Sequence, residues 1–123
     1  MRRALKILAV DDEPLLTASL HDIFEGPQYE LTSARDGNDA LTLLSADLAP
    51  YDVIITDNNM PHVSGVELVR ELRERSFSGK IIVLSAHLTS EVRETYARMN
   101  VDAILDKPVD IHELRETLDL LVA

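Results

Sequence analysis

Two hydrophobic periodicities alternate along the chain. Short apolar runs that are rich in branched side chains are typical of β-strands. They occupy residues 6–10, 53–56, 81–84 and 103–105, with a weaker alternating run at residues 29–34. The runs at 6–10, 53–56 and 81–84 have little polar interruption, which predicts strands that are buried on both faces of a sheet.

Each run is followed by apolar residues at the spacing of an amphipathic helix. The five stripes consist of Leu16, Leu20, Ile23 and Phe24; Leu41, Leu44 and Leu48; Val69 and Leu72; Val92, Tyr96 and Met99; and Ile111, Leu114, Leu118 and Leu121. The charged stretch at residues 70–75 is expected to be the solvated side of the third helix. A strand–helix unit that occurs five times predicts an α/β fold with a five-stranded parallel sheet and helices on both faces. The common strand order of such a doubly wound sheet is 2-1-3-4-5.

The composition fits one globular domain spanning residues 1–123. Of these 123 residues, 46% are hydrophobic and 28% are charged, so the chain can build its own core. Its 12 Lys and Arg against 22 Asp and Glu give a net charge of -10, which disfavours binding to nucleic acid or to an anionic membrane. The absence of cysteine excludes disulfides, thiolate metal sites and a cysteine nucleophile. Without an apolar run long enough for a membrane span or a signal peptide, we expect a cytoplasmic protein.

Polar residues follow four of the five predicted strands. Asp11 and Asp12 come after the first strand, Asp57 after the third, Ser85 after the fourth and Lys107 after the fifth. Ligands of doubly wound sheets bind at the carboxyl ends of the strands, beside the point where the strand order reverses. We therefore expect these side chains to form one site.

The carboxylates indicate a site for a divalent cation. Neighbouring like charges raise each other's pKa unless a cation neutralises them, and carboxylate oxygens suit Mg²⁺. For Asp11 and Asp12 alone, capping of the following helix is an equally good interpretation. Capping does not explain Asp57, whose predicted helix begins several residues later.

Lys107 and Ser85 extend the predicted site toward phosphate chemistry. Lys107 is able either to form a plain ion pair with the acids or to neutralise a phosphoryl oxygen, and Pro108 is a candidate for a cis peptide bond. Ser85 is a candidate hydrogen-bond donor to a phosphoryl group. One chemistry uses all of these groups: Asp57 attacks phosphorus as a nucleophile, while Mg²⁺ and Lys107 stabilise charge on the phosphoryl oxygens.

Four motifs occur in a fixed order along the chain. They are Asp11-Asp12, Asp57-x-x-Met60-Pro61 with Gly65, Ser85-Ala86 and Lys107-Pro108. Each motif alone is weak, but the ordered set resembles the receiver domain of two-component response regulators, the CheY-like family. The resemblance covers the chain from Lys6 to Leu121. It implies a flavodoxin-like fold and a phosphoacceptor signalling module of a two-component phosphorelay.

The resemblance also implies roles for individual residues. Asp57 is the expected phosphoacceptor, Ser85 the switch hydroxyl and Lys107 the phosphoryl-binding lysine. The implied Mg²⁺ ligands are Asp12, Asp57, Asn59 through its backbone carbonyl, and Asp11 through water.

Several positions are variable in this family or depart from its pattern. Ile104 stands three residues before Lys107, where the family often has Tyr or Phe coupled to the switch hydroxyl, and simple packing is its expected role. Asn58 follows the phosphoacceptor, where an apolar residue is more usual, so we expect a changed partner contact. Asn59 and His87 match positions that influence phosphoryl lifetime. We hypothesise that His87 shapes the access of water to the phosphoryl group; the alternative is a solvated loop histidine.

The implied partners are proteins. The phosphoryl donor is a phosphohistidine on a sensor histidine kinase or phosphotransfer protein, and the target is a downstream protein or an attached output domain. The face of the fourth helix, fifth strand and fifth helix is the expected regulatory surface and a candidate homodimer contact. We expect no output domain in this chain, and catalysis only of its own phosphorylation and dephosphorylation. His21, His62 and His112 lack metal spacing and are expected to be ordinary surface residues.

Two other classes of function stay open. An aspartyl-nucleophile phosphohydrolase would carry its nucleophile on the first strand with a second acid two residues on, whereas Asp11 and Asp12 are adjacent. A receiver-like docking scaffold would keep the fold but never accept phosphate. A flavin site is disfavoured because the acidic loop after the first strand would repel the phosphate of the cofactor.

Overall fold

The computed structural model describes residues 3–46, 51–60 and 63–123. Leu48 of the second stripe, Pro61 of the motif after Asp57, and His62 lie outside these residues. Strands and helices alternate in the order β1 (Leu5–Val10), α1 (Pro14–Ile23), β2 (Tyr29–Ala34), α2 (Gly37–Ala46), β3 (Val53–Asp57), α3 (Gly65–Glu74), β4 (Lys80–Ser85), α4 (Ser90–Arg98), β5 (Ala103–Asp106) and α5 (Ile111–Leu121).

The strands form one parallel sheet in the order β2-β1-β3-β4-β5, which confirms the predicted fold. Ile7 of β1 lies opposite Leu31 of β2 on one side and Val53 of β3 on the other. Asp57 at the end of β3 lies opposite Leu84 of β4. Because the strand order reverses between β1 and β3, the carboxyl ends of these two strands flank the crevice in which ligands of such sheets bind.

Each face of the sheet has its own hydrophobic core, because successive side chains of a strand point to opposite faces. In β1, Leu8 and Val10 belong to the core that includes α2, α3 and α4, whereas Ile7 and Ala9 belong to the core that includes α1 and α5. The central strands β1, β3 and β4 are buried over most of their length, as their apolar runs predict. Burying one Leu or Ile side chain contributes about 1.5–3 kcal/mol, so these two cores hold the strand ends in fixed positions.

Local side-chain chemistry fixes where the helices begin. Pro14 opens α1 at a position that needs no backbone donor. Ser64 and Glu67 form a two-way capping box at α3, and Thr89 accepts a hydrogen bond from the Val92 N–H at the start of α4. The longest of the described helices, α5, has 11 residues, and none of them has the length and apolar character needed to cross a bilayer.

Arg73 departs from the solvated side that was predicted for α3. Its guanidinium donates to the backbone carbonyls of Met99 at 2.7 Å, Asn100 at 2.8 Å and Phe77 at 3.1 Å. The first two carbonyls follow the end of α4 and the third follows the end of α3. Arg73 therefore joins these two helix ends by supplying donors to backbone carbonyls that lie just beyond them.

Candidate functional site

The predicted site residues meet at the carboxyl edge of the sheet. Asp11 follows β1, Asp57 ends β3, Ser85 ends β4 and Lys107 follows β5. Asp11, Asp57 and Ser85 are buried, and the Lys107 side chain is 14% exposed. The parallel topology thus brings into contact groups such as Lys107 and Asp11, which are 96 positions apart in the chain.

Asp11, Asp12 and Asp57 form a cluster of three carboxylates. One oxygen from each lies within 4.8 Å of the other two. Asp11 and Asp57 are buried, whereas Asp12 is exposed and leaves one side of the cluster open to solvent. Hard oxygen ligands with an open side fit a cation that keeps several waters, as Mg²⁺ does.

Lys107 supplies the positive charge of the site. Its Nζ lies 3.2 Å from Asp57 Oδ2, 3.3 Å from Asp11 Oδ2 and 2.8 Å from Glu13 Oε1. Burial lowers the pKa of Lys107, but the hydrogen bond to Glu13 and the charges of Asp11 and Asp57 outweigh burial and raise it. The lysine is therefore charged throughout the physiological pH range. The peptide bond between Lys107 and Pro108 is cis.

Burial dominates the electrostatics of the two inner carboxylates. It raises the pKa of Asp11 and of Asp57, although Lys107 and backbone donors act in the opposite direction. The donors are the Glu13 N–H, 2.7 Å from Asp11 Oδ1, and the Asn59 N–H, 3.3 Å from Asp57 Oδ1. One lysine thus leaves the cluster short of positive charge, and a bound cation would supply it.

Glu13 is a contact in the candidate site that the sequence analysis did not single out. It is the N-cap residue of α1, but its side chain makes no capping hydrogen bond. The carboxylate instead contacts Lys107. Helix capping therefore does not account for this acid, and its position just after the Asp11-Asp12 pair was the only sign of its role in the sequence.

The Ser85 hydroxyl is buried and has no hydrogen-bond partner among the residues that the structure describes. Ser85 comes directly after Leu84, which lies opposite Asp57 across the β3–β4 pair. An unsatisfied buried hydroxyl costs about 1–3 kcal/mol. A polar group that bound beside Asp57 and accepted this hydrogen bond would recover that free energy.

Three further predicted residues surround the site. Asn59 is exposed and holds Asp57 only through its backbone N–H. His87 is exposed on the loop between β4 and α4. Ile104 lies opposite Val83 and packs against the core that includes α2, α3 and α4, which is the packing role expected for it.

The side chain of Asn58 makes an internal contact. Its Oδ1 accepts a hydrogen bond from the hydroxyl of Tyr96, a fully buried residue of α4. The polar residue after Asp57 was expected to change a contact with a partner. The structure shows a hydrogen bond within the chain, to a residue 38 positions away.

Comparisons with known proteins point to one family. The sequence matches the family model of the response regulator receiver domain over residues 7–119. It is 31% identical over 114 residues to the sensor histidine kinase RcsC of Salmonella typhi and 36% identical over 117 residues to the sensor protein EvgS of Escherichia coli O157:H7. These matches cover 93% and 95% of this chain but only 12% and 10% of the relatives, so the chain spans a small part of their length.

Solved structures show the same fold. The chemotaxis protein CheY4 of Vibrio cholerae superposes with a TM-score of 0.85 at 30% identity, over 96% of this chain and 98% of that one. A Francisella response regulator receiver domain superposes with a TM-score of 0.84 at 32% identity, over 95% of each chain.

Proposed function

The chain belongs to the response regulator receiver domain family, and we propose that it accepts a phosphoryl group on Asp57. The observation that carries this assignment is the contact of Lys107 Nζ with Asp57 Oδ2, at 3.2 Å, in a cluster of three carboxylates of which Asp11 and Asp57 are buried. The Ser85 hydroxyl supports the assignment, because it is a buried donor without a partner among the described residues and a phosphoryl oxygen on Asp57 would be an acceptor for it.

The proposed reaction is transfer from a phosphohistidine. A carboxylate oxygen of Asp57 attacks phosphorus, the bond from phosphorus to the imidazole nitrogen of the donor breaks, and the leaving imidazole takes a proton from solvent. Lys107 neutralises charge on a phosphoryl oxygen, and Ser85 donates a hydrogen bond to another. The acyl phosphate is then the signalling state.

Mg²⁺ fits the donor set of this site. Asp12 and Asp57 would hold it directly, Asn59 through its backbone carbonyl and Asp11 through water. When bound, the cation supplies positive charge that lowers the repulsion between the carboxylates and an incoming phosphoryl group. Asn59 and His87 are exposed beside the site, and we propose that they set how long the phosphoryl group survives.

The finer parts of the proposal are supported by membership of this family. We propose a single receiver unit that catalyses only its own phosphorylation and dephosphorylation and acts in the cytoplasm. Its donor would be a histidine kinase or phosphotransfer protein. Its target would bind the face formed by α4, β5 and α5, which is also the proposed contact for a homodimer.

Intact-mass measurement after incubation with acetyl phosphate and Mg²⁺ tests the assignment. Wild-type protein is expected to gain one base-labile phosphoryl group. The D57N variant is expected to gain none, because an amide oxygen is not an effective nucleophile. Lys107→Ala is expected to slow the reaction by roughly 10²–10³-fold, the cost of removing one group that stabilises developing charge.

A substitution outside the site provides a control for general effects on the fold. Ser45→Ala changes a hydroxyl in α2 that donates to the backbone carbonyl of Leu41, and it should leave the adduct unchanged. An adduct that persists in D57N would move the phosphoacceptor elsewhere. A wild-type protein that stays unmodified with both acetyl phosphate and a phosphohistidine donor would favour the docking scaffold.

A further inference from the structure

Asn58, the residue after Asp57, makes hydrogen bonds to three other elements. Its backbone N–H donates to the carbonyl of Leu84 at the end of β4, at 2.9 Å, and its carbonyl accepts from the Gly65 N–H at the start of α3, at 3.0 Å. Its side-chain oxygen accepts from the hydroxyl of Tyr96 in α4. A displacement of the chain at Asn58 therefore acts on β4, α3 and α4 together.

The Tyr96 hydroxyl occupies a tightly packed position. Tyr96 is 0% exposed, and a Cβ built on Gly65 would lie 2.5 Å from its oxygen. Burial raises the pKa of Tyr96, and the charge of Asp57 raises it further. The phenol is therefore a neutral donor at physiological pH, close enough to Asp57 to respond to its charge.

Ile104 provides no polar connection from Ser85 to this face of the molecule. Its side chain is a hydrocarbon that packs against the core including Tyr96 and Val83. It has no donor or acceptor for the Ser85 hydroxyl, which is without a partner among the described residues. A polar connection from the site to α4 is instead present at Asn58 and Tyr96.

We infer that the hydrogen bond between Tyr96 and Asn58 couples the phosphorylation state of Asp57 to helix α4. The inference rests on the proposed function. A phosphoryl group brings a charge of roughly -1.5 to -2 and three acceptor oxygens, which compete for the Asn59 N–H that now donates to Asp57. The resulting shift of residues 58–59 moves the acceptor of the Tyr96 hydroxyl. A buried hydroxyl is costly to leave unpaired, so α4 follows.

Hydrogen exchange of α4 amides, with and without acetyl phosphate and Mg²⁺, tests the coupling. In the wild type, we expect phosphorylation to change the protection factors of residues 90–98. In Tyr96→Phe, which keeps the ring and removes the hydroxyl, Asp57 should still become phosphorylated. The ratio of the protection factors of phosphorylated and unphosphorylated protein should move toward one by roughly fivefold. That factor corresponds to the contribution of one hydrogen bond. If the Tyr96 hydroxyl only stabilised the fold, its removal would alter protection equally in the phosphorylated and unphosphorylated protein. The ratio would then stay as in the wild type.

Tyr29→Phe is the matched control, because it removes a hydroxyl that donates to Asp119 Oδ1 at 3.0 Å, away from the site. It should keep the wild-type ratio. Asn58→Leu removes the acceptor instead of the donor, and the double variant N58L/Y96F should lose no more coupling than either single variant. This series keeps the test decisive if one variant folds poorly.

The outcomes separate the inference from the proposed function. If wild-type protein takes no phosphate from any donor, the proposed function fails and the coupling with it. If it is phosphorylated but Y96F keeps the full response of α4, the coupling is overturned while the function stands. An α4 that does not respond in phosphorylated wild type also overturns the coupling.

Discussion

Asp57 is a buried carboxylate that shares one lysine with two other acids. Its pKa is raised, by burial first, although Lys107 and the Asn59 N–H act against burial. The ionised form is therefore less favourable in the folded chain than in the unfolded one. The burial that raises the pKa of Asp57 therefore reduces the stability of the metal-free protein at neutral pH.

Replacing Asp57 with Asn should stabilise the metal-free protein at neutral pH. A raised folded-state pKa means that the unfolded chain ionises first as the pH rises, so wild-type stability falls between the unfolded and the folded pKa of Asp57. The advantage of D57N should be absent below that window and complete above it. A difference of about 1 kcal/mol would raise the melting temperature by about 4 °C, which thermal unfolding in EDTA from pH 3 to pH 8 would detect.

The exposed pair of Arg35 and Asp39 provides the control. Asp39→Asn also removes one negative charge, but it breaks an ion pair on an exposed surface. The pKa of Asp39 is lowered by its hydrogen bond to Arg35, so this variant should be no more stable than the wild type at neutral pH. Equal stabilisation by both substitutions would assign the effect to net charge rather than to the site.

At the scale of the elements, Gly65 at the start of α3 lies close to the end of β3, to the loop that follows β3 and to α4. A Cβ at Gly65 would lie 2.8 Å from the carbonyl oxygen of Asp57 and 2.9 Å from the Cα of Asn58, besides its approach to Tyr96. Two of these neighbours are backbone atoms that cannot rotate away. Glycine is therefore required here by close packing of the backbone.

Gly65→Ala should destabilise the protein by about 1–3 kcal/mol, the range for overpacking a tightly packed site. Phosphorylation by acetyl phosphate should slow as well, because the clash displaces the backbone of Asp57. Urea unfolding and the rate of adduct formation would measure the two effects. Tyr96→Phe should rescue only part of the stability, since the backbone contacts remain.

Ser64→Ala, one position earlier, is the control for α3 itself. It removes the hydroxyl that accepts the capping hydrogen bond from the Glu67 N–H. The free energy of unfolding should fall by about 1 kcal/mol. The rate of phosphorylation should stay close to that of the wild type. A similar loss of rate in both variants would mean that the site responds to the stability of α3 in general.

The elements themselves could be predicted from local sequence, because periodicity and the parallel connection rules depend on neighbouring residues. The run at residues 53–56 became β3 (Val53–Asp57), and the run at residues 6–10 became β1 (Leu5–Val10). The predicted site residues met at one edge because topology places strand ends together. Their assigned roles as phosphoacceptor, switch and metal ligands stay predictions.

Contacts made by long side chains between distant elements could not be predicted. Nothing local to Asn58 indicates a partner in α4, and nothing near Arg73 indicates that it reaches the carbonyls after α4. Glu13 was not singled out because its contact in the site is with Lys107, 94 positions away. Such contacts require the three-dimensional path of the chain.

At the scale of the whole molecule, the chain has a net charge of -10, and the carboxylates of the site are part of that excess of acidic groups. Self-repulsion of this kind weakens the compact state and is screened by salt. We expect Mg²⁺ to act in two ways, because it screens the surface like any cation and is also the proposed ligand of the carboxylate cluster. The two contributions can be separated at equal ionic strength.

Raising NaCl to about 0.15 M, where the Debye length is about 8 Å, should increase the melting temperature. MgCl₂ at the same ionic strength should increase it further. The additional stabilisation should be about 1.4 kcal/mol when Mg²⁺ exceeds its Kd tenfold. Asp12→Asn, which changes the exposed ligand, should keep the NaCl effect and lose most of the excess. Equal responses to both salts in the wild type would contradict a specific cation site.

The buried position of Tyr96 also bears on the ultraviolet spectroscopy of the molecule. The chain has three tyrosines and no tryptophan, so tyrosine dominates its absorption near 280 nm and its intrinsic fluorescence. Tyr96 is buried, and its hydroxyl donates a hydrogen bond to Asn58, the residue after Asp57. The charge of Asp57 raises the pKa of Tyr96. One of the three tyrosines therefore lies beside the proposed phosphoacceptor, and we expect its absorption and fluorescence to provide a label-free probe of that site.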